Sequence, residues 1–194
     1  PNYRRATLLA VSDRIDGPYQ LIHKGEPVTT PNDMTLDGSL YIDPAGKPWM
    51  VYAHEWLQMG VGTMEALPLK DDLSPAGKPQ LLFRANDADW VIGQKQPEGD
   101  MGYVTDGPEL YRTKTGTLLM LWSSWGKGGY VQAQARSTSG TLAGPWEQLG
   151  PLIMQDSGHG MLFHAFDGRL MLVLHRPFKR AIAKFYEMRD AGDR

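Results

Sequence analysis

The sequence predicts an all-β protein built as a β-propeller, and three observations support this prediction. Apolar residues fall in short runs, as in strands, and 22 glycines and 14 prolines are scattered between them as turn residues. A strand–turn–strand unit also recurs along the chain. Repeats of roughly 40–50 residues that each supply several antiparallel strands are typical of β-propellers.

The recurring unit is a strand, a glycine-containing turn and a returning strand, at residues 36–54, 106–123 and 158–175. Its turn glycines are Gly46, Gly116 and Gly168, and an earlier glycine precedes them by eight, nine and eight residues. Glycine in a short connection between two alternating runs predicts a hairpin. The agreement of the three copies indicates equivalent hairpins in successive blades.

A second element, glycine–proline–aromatic, ends a unit at residues 17–19 and again at 144–146. We therefore expect a single domain over 1–194, with a blade tail at 1–30, blades at about 34–85 and 103–150, and a shorter blade at about 157–188. These three and a half blades would leave open sheet faces at both ends. We expect the missing blades to come from upstream sequence or from another chain, and the chain indeed opens at Pro1 without an initiator Met.

Composition limits the partners. The chain has 20 basic and 22 acidic residues and no Lys/Arg cluster, which argues against nucleic acid. It has no cysteine, so disulfides and thiolate metal sites are excluded. No apolar run approaches the ~18–20 residues of a membrane span, and no signal peptide is recognisable.

Polar and aromatic residues lie where a propeller would bring them together. Residues before each first strand and after each second strand converge on one pocket at the central channel. The first-strand starts carry Asp37, Asp106 and His159. The second-strand ends carry His54, Glu55, Trp56, Ser123, Ser124, Trp125, His175 and Arg176.

This set suits glycoside hydrolysis, in which one carboxylic acid protonates the leaving oxygen while a carboxylate activates water or attacks. Packed carboxylates raise one pKa, so a neutral acid and an ionised base coexist near pH 7. Trp56 and Trp125 offer flat faces for sugar rings, with His54 and His175 beside them to bind hydroxyls. Structural interpretations compete, because Asp-Gly is a common turn dipeptide, a histidine is often structural, and single tryptophans are usually core.

The motifs LDGSLY at 36–41, YAHEW at 52–56, VTDGPELY at 104–111 and SGHGM at 157–161 resemble, in their order and spacing, family 43 glycoside hydrolases. The resemblance covers about residues 7–187. It implies a five-bladed propeller, secreted or periplasmic, that performs inverting hydrolysis of arabinofuranosyl, xylosyl or galactosyl linkages in plant-type oligosaccharides and polysaccharides. It also implies three acids: an aspartate base, an aspartate that tunes the acid, and a glutamate general acid.

On this resemblance Asp37 takes the place of the tuning aspartate. His159 matches a histidine near the propeller axis that helps to hold a Ca²⁺ ion through water. The blade with the base would lie upstream of Pro1, and the usual Glu-Gly-Pro of the acid is Asp-Gly-Pro here, at Asp106. Glu55 competes with Asp106 for the role of acid, and the residues alone leave both open. A non-catalytic carbohydrate-binding propeller, or an inactive fragment lacking the base, is the alternative function.

Overall fold

The computed structural model describes residues 5–96 and 99–194. Its strands are β1 (Ala10–Val11), β2 (Gln20–Leu21), β3 (Thr35–Ile42), β4 (Pro48–His54), β5 (Thr63–Pro68), β6 (Gln80–Arg84), β7 (Gln94–Lys95), β8 (Met101–Gly102), β9 (Asp106–Arg112), β10 (Leu118–Gly126), β11 (Gly129–Ser137), β12 (Trp146–Gln148), β13 (Gly158–His164), β14 (Leu170–Arg176) and β15 (Ile182–Glu187). One turn of helix, α1 (Trp56–Met59), and two 3₁₀ turns, His23–Gly25 and Ala85–Asp87, complete the described elements. No helix within these residues is long and apolar enough to cross a bilayer.

Within the described residues, three larger antiparallel sheets follow one another along the chain. They have the orders β3-β4-β5-β6, β9-β10-β11-β12 and β13-β14-β15, and β1–β2 and β7–β8 are two-stranded ribbons. The first strands are neighbours in space, since β3 contacts β9 and β9 contacts β13. Successive meanders with their first strands side by side are blades around an axis. The predicted all-β propeller is confirmed.

The three predicted hairpins share the same backbone turn. In the first sheet the Asp43 N–H donates to the Lys47 carbonyl (2.9 Å) and the Gly46 N–H to the Asp43 carbonyl (2.9 Å). The same pair of bonds closes the turns at 113–117 and 165–169. The turn glycines have φ of 80°, 88° and 86°, which L side chains rarely adopt. Glycine is therefore required at these three positions.

Near its start each first strand carries a β-bulge. In each bulge, two consecutive residues of the first strand lie opposite a single residue of the second strand. These residues are 37–38 in β3, 107–108 in β9 and 159–160 in β13. The bulged residues Asp37, Gly107 and His159 have φ of 56°, 57° and 53°.

These three bulged residues each lie nine positions before their turn glycine, so they are structurally equivalent. Asp106 therefore lies one position earlier in its strand than Asp37 does. The earlier glycines that the sequence analysis aligned, which lie eight, nine and eight residues before the turn glycines, are therefore not structurally equivalent. The physical reason is the left-handed backbone of the bulge, which Asp and His tolerate better than most residues and which Gly adopts freely.

The two glycine–proline–aromatic turns are also equivalent. The Tyr19 hydroxyl donates to the Ile15 carbonyl (2.9 Å), and the Trp146 indole N–H donates to the Leu142 carbonyl (3.0 Å). In both turns the aromatic ring folds back over its glycine, so a Cβ at Gly17 or Gly144 would lie within 3.2 Å of that ring. The aromatic side chain thus closes its own turn at the end of a unit.

The largest core lies between the first two sheets. Trp122 is fully buried, with the Phe83 ring 5.2 Å and the Trp90 ring 5.1 Å away. Smaller clusters around Tyr52 and around Leu172 join the blade tail to the first sheet and the second sheet to the third. Apolar contact between neighbouring blades therefore stabilises this part of the propeller.

Behind the first hairpin is a buried polar network centred on Glu65. Its carboxylate bonds to His54 Nδ1 (3.0 Å), to the Thr63 hydroxyl (2.8 Å) and to the Tyr52 hydroxyl (3.1 Å). Burial alone would raise the pKa of Glu65, but the bonds from His54 and Thr63 outweigh burial and lower it. The bond to Glu65 raises the pKa of His54 against the opposing effect of burial.

The last residues, 189–194, are held by hydrogen bonds to the second sheet. Asp190 accepts bonds from the Tyr111 hydroxyl (3.0 Å) and the Lys114 backbone N–H (2.8 Å). The Thr113 hydroxyl donates to the Gly192 carbonyl (2.6 Å). Residues 189–194 thus anchor the third sheet to the β9–β10 hairpin of the second sheet. The contacts are polar, so no hydrophobic pattern in the sequence indicates them.

Removing the Thr113 hydroxyl tests this anchor. We expect Thr113→Val to lower the free energy of unfolding by about 1 kcal/mol, because a buried hydrogen bond is lost at nearly constant volume. Trypsin should also cut faster after the exposed Arg189. Urea unfolding and timed proteolysis measure the two effects. Thr117→Val is the control, because the Thr117 hydroxyl pairs with Thr115 at 3.5 Å, whereas the described hydrogen bonds to Gly192 come from Thr113 and Thr115. Equal behaviour of the two variants would contradict the anchor.

The His54–Glu65 pair should make stability depend on pH. Because folding raises the pKa of His54, the pair adds stability below the ordinary histidine pKa of about 6.5, and this is lost as pH rises through the folded value. The lowered pKa of Glu65 removes the contribution again in acid. Urea unfolding at mildly acidic and at alkaline pH should show that wild type loses more stability than His54→Gln as the pH rises. His164→Gln, at an exposed histidine, should behave as wild type does.

Candidate active site

Asp37 joins two neighbouring blades at the bulge of β3. Its Oδ2 accepts the Gly107 backbone N–H (3.1 Å), and its Oδ1 lies 3.8 Å from His159 Nε2. The adjacent Ser39 hydroxyl donates to the Pro108 carbonyl (2.6 Å), which fixes β3 against β9 at the same level. The carboxylate therefore lies against the backbone that follows Asp106.

Asp106 begins β9 opposite Ser123. Its Oδ2 accepts a bond from the Tyr130 hydroxyl (2.7 Å). Burial, and then the charge of Asp37, raise the pKa of Asp106 to about 6, although Tyr130 and His159 act in the opposite direction. A carboxyl with this pKa is largely protonated in mildly acidic solution and can donate its proton.

Glu55 lies between β4 and α1 and is 2% exposed. Its carboxylate forms an ion pair with the Arg5 guanidinium. The charge of Glu55 contributes to the raised pKa of Asp106, so the three predicted acids, Asp37, Asp106 and Glu55, act on one region. Glu55 differs from Asp106 in having a permanent cation as its partner.

Beside Asp106 is an aromatic cluster formed by Trp125, Tyr130, His175 and Phe178. The His175 ring stacks on Tyr130 with centroids 5.4 Å apart and planes at 20°. Trp125 meets Tyr130 edge-on at 5.4 Å, and Phe178 lies 4.7 Å from Trp125. The structure thus places two of the predicted substrate-binding residues, Trp125 and His175, against Tyr130, the hydrogen-bond partner of Asp106.

The other two predicted substrate-binding residues have different surroundings. Trp56 begins α1, and its indole packs over Gly102, where a Cβ would lie 2.1 Å from the ring. His54 uses both ring nitrogens within the protein, on Glu65 and on Gln58 Oε1 (3.1 Å). Substrate binding by Trp56 and His54 stays a prediction.

His159 occupies the bulge of β13, with its side chain half-exposed and its ring against Gly107. Its backbone N–H donates to the Ser123 hydroxyl (2.8 Å). Calcium takes six to eight oxygen ligands. Residues 5–96 and 99–194 contain no group of three or more His, Asp, Glu or Cys side chains that could hold a metal ion. The described side chains do not by themselves form a calcium site, and a water-mediated ion at His159 stays a prediction.

Sequence reasoning missed several residues of the site. Tyr130 was not considered, although hairpin pairing places it opposite Trp125. Phe178 follows β14 by two residues, beyond the point where strand periodicity identifies neighbours. Arg5 lies 50 residues from Glu55 and carries no local signal. Trp90, another tryptophan outside the strands, packs against Trp122 in the core.

A solved structure with the same fold is the endo-arabinase of Bacteroides thetaiotaomicron VPI-5482. It is 40% identical in sequence and superposes with a TM-score of 0.91. The match covers 96% of this chain and 66% of the endo-arabinase. The chain therefore spans slightly less than two thirds of that relative.

More distant structures share the fold. A thermostable family-43 glycoside hydrolase is 21% identical with a TM-score of 0.77, over 95% of this chain and 64% of the other. An endo-1,4-beta-xylanase of Bacteroides thetaiotaomicron VPI-5482 is also 21% identical, with a TM-score of 0.68, over 92% of this chain and 66% of the other. Among proteins with curated descriptions, none matches the chain.

The family model for glycosyl hydrolases family 43 matches residues 2–187. This range includes the three larger sheets and every acid of the site. The predicted fold class, a five-bladed propeller of which the chain holds about three and a half blades, agrees with the partial coverage of the relatives. On the family match and the 40% identity together, the chain belongs to glycosyl hydrolases family 43.

Proposed function

We propose that this chain supplies most of the active site of an inverting glycosidase that cleaves arabinofuranosyl linkages in plant-type glycans. The observation that supports it most is Asp106, a carboxyl with a pKa raised to about 6 beside the carboxylate of Asp37. The 40% identity to an endo-arabinase favours arabinan over xylosyl and galactosyl substrates.

In the proposed reaction Asp106 is the general acid. Its proton moves to the glycosidic oxygen while the bond from that oxygen to the anomeric carbon breaks, and the leaving sugar departs as an alcohol. A water molecule attacks the anomeric carbon from the opposite face and gives its proton to a carboxylate base. Asp106 regains a proton from solvent before the next turnover.

Asp37 tunes this acid in two ways. Its charge is the second contribution, after burial, that raises the pKa of Asp106. Its bond to the Gly107 N–H fixes the backbone next to Asp106. Asp37 therefore keeps the acid protonated and also directs it, in agreement with the role that the family resemblance assigned to it.

The base is part of the proposal as well. Asp37 and Asp106 serve as tuning aspartate and acid, and Glu55 is paired with Arg5. Because the chain spans about two thirds of the related enzymes, we assign the base to a blade outside these residues. The same blades would cover the outer face of the third sheet, where Met161, Phe163 and Phe185 are exposed. A polymeric glycan substrate implies a secreted or periplasmic enzyme.

Substrate contacts are assigned to the aromatic cluster first. Trp125 offers an apolar ring and His175 a polar edge beside Asp106, a combination that suits the faces and hydroxyls of a sugar. Trp56 and His54 are assigned a lesser part, because their rings already have protein partners.

Replacement of Asp106 tests the acid. Asp106→Asn should lower kcat on arabinan by about 10²–10⁴-fold, but far less on a dinitrophenyl arabinofuranoside, whose leaving group departs without a proton. The wild-type kcat/KM profile should decline above about pH 6, where Asp106 ionises. The assays use two proteins: the chain alone, and a fusion of the chain with the segment of the endo-arabinase that lies outside the region matched by this chain.

Two matched variants accompany this test. Glu109→Gln replaces another carboxyl of β9, whose pKa burial raises, and should leave the leaving-group dependence unchanged. Glu55→Gln separates the two candidate acids. The variant of the true acid should lose kcat on arabinan but retain it on the dinitrophenyl substrate. If Glu55→Gln shows this pattern and Asp106→Asn does not, Glu55 is the acid and the assignment to Asp106 is wrong.

A non-catalytic carbohydrate-binding propeller is the second candidate. The aspartate at position 106 favours this candidate. Its side chain is one methylene shorter than the usual glutamate, so its carboxyl group reaches less far toward a substrate. Oligosaccharide binding by calorimetry, without product release from the joined protein on long incubation, would support this candidate against hydrolysis.

The uncovered face of the third sheet should make the chain self-associate. Phe163 and Phe185 pack edge to face at 6.3 Å and are 37% and 62% exposed. Exposed apolar sheet faces promote association. Light scattering should show species larger than a monomer, and the double change Phe163→Lys with Phe185→Lys should shift them toward monomer. Leu81→Lys, an exposed apolar residue on β6, is the control and should have no such effect.

A further inference from the structure

Tyr130 is a buried phenol in direct contact with Asp106. It is 1% exposed, and its hydroxyl donates to Asp106 Oδ2 over 2.7 Å. It lies on β11 opposite Trp125, while Asp106 pairs with Ser123 on β10, so two neighbouring strand pairs of one sheet bring the phenol and the carboxyl together.

The phenol ring is held on several sides. His175 stacks on one face at 5.4 Å, Phe178 lies at 4.9 Å and Trp125 meets an edge at 5.4 Å. The Tyr130 backbone N–H donates to Asp156 Oδ1 (3.1 Å), and the same carboxylate accepts the Phe178 N–H on Oδ2 (3.0 Å). The Asp156 carboxylate therefore fixes Tyr130 and its neighbouring ring together.

The third sheet closes the remaining space. A Cβ at Gly158 would lie 2.6 Å from Tyr130 Cε1, so the ring fills the position where a side chain would otherwise be. A ring packed in this way cannot swing its hydroxyl away from Asp106 without moving two blades. The hydrogen bond to Asp106 is thus set by tertiary packing.

The direction of the bond follows from chemistry. Burial, and then the charge of Asp106, raise the pKa of Tyr130, so the phenol keeps its proton and donates. A carbonyl oxygen accepts a phenolic proton better than the hydroxyl oxygen of a carboxylic acid does. When Asp106 is protonated, Oδ2 therefore has carbonyl character and the acidic proton is on Oδ1.

We propose that Tyr130 is a positioning residue for the reaction: it holds Oδ2 of Asp106, leaves the transferable proton on Oδ1, and stabilises the carboxylate that forms when this proton leaves. The transfer to a leaving group rests on the proposed function. In that step the Oδ1–H bond breaks, the proton joins the glycosidic oxygen, and the negative charge spreads over both carboxylate oxygens. The O–H bond of Tyr130 stays intact.

Carboxyl-carbon NMR titration of the 194-residue chain tests the contact without any need for turnover, with the Asp106 signal identified by its loss in Asp106→Asn. Tyr130→Phe should raise the pKa of Asp106 by about one pH unit, because the ionised form loses a hydrogen bond. Tyr111→Phe is the matched control. It removes another tyrosine–aspartate bond, 3.0 Å to Asp190, near the opposite end of β9, and should leave the Asp106 titration unmoved.

A second variant keeps the test decisive if the phenylalanine variant does not fold. Fluorotyrosine at position 130 retains the hydroxyl and strengthens it as a donor, so the pKa of Asp106 should fall below the wild-type value. An Asp106 titration that is the same in wild type and in the folded Tyr130 variants overturns the proposal, whatever the activity.

Kinetics separate this proposal from the proposed function. In the chain joined to the remaining blades, Tyr130→Phe should lower kcat with little change in KM and should move the alkaline limb of the pH profile upward. If the Asp106 titration moves but no glycan is hydrolysed, the hold of Tyr130 on Asp106 stands, while the hydrolase proposal and the proton transfer that rests on it fail. If activity falls with an unmoved pH profile, Tyr130 is merely structural and the positioning role is overturned.

Discussion

Each first strand of the three sheets has a bulge near its start, and the left-handed residue at this bulge decides which side chains reach the shared region. In β3 that residue is Asp37, in β9 it is Gly107, and in β13 it is His159. The three meet one another, since Asp37 accepts the Gly107 N–H and lies beside His159, whose ring packs on Gly107. The blades are thus joined at the point where the chemistry is placed.

The glycine at the central bulge shows why this arrangement is constrained. A Cβ at Gly107 would lie 3.0 Å from the His159 ring, and the φ of 57° at this residue disfavours most side chains other than Asp, Asn and His. With no side chain at the bulge of β9, the acid occupies the preceding position, Asp106. That position is half-buried and close to Asp37, and desolvation together with the charge of Asp37 raises the pKa of this carboxyl against the opposing bond from Tyr130.

Glu55 and Asp37, the two carboxylates that act on Asp106, differ in their bonding partners and therefore in their roles. Glu55 is paired with the Arg5 guanidinium, so its charge is balanced within the protein. Asp37 uses one oxygen on a backbone N–H and directs its charge toward Asp106. Burial and like charge favour the neutral form of Asp106, while Tyr130 favours the ionised form, and the balance leaves an acid that can release and regain a proton.

The sequence by itself determined the succession of antiparallel blades and the three hairpins with Gly46, Gly116 and Gly168, because turn residues and alternating apolar runs act over a few neighbouring positions. The family followed from the resemblance of its motifs, in their order and spacing. It also identified Asp37, Asp106 and Glu55 as one group. Only the tertiary structure decided that Asp106 is offset by one position from Asp37, that His54 pairs with Glu65, that residues 189–194 are anchored, and that Tyr130 bonds to Asp106. Those features depend on bulge geometry and on contacts between residues far apart in the chain, for which no local pattern of residue types is required.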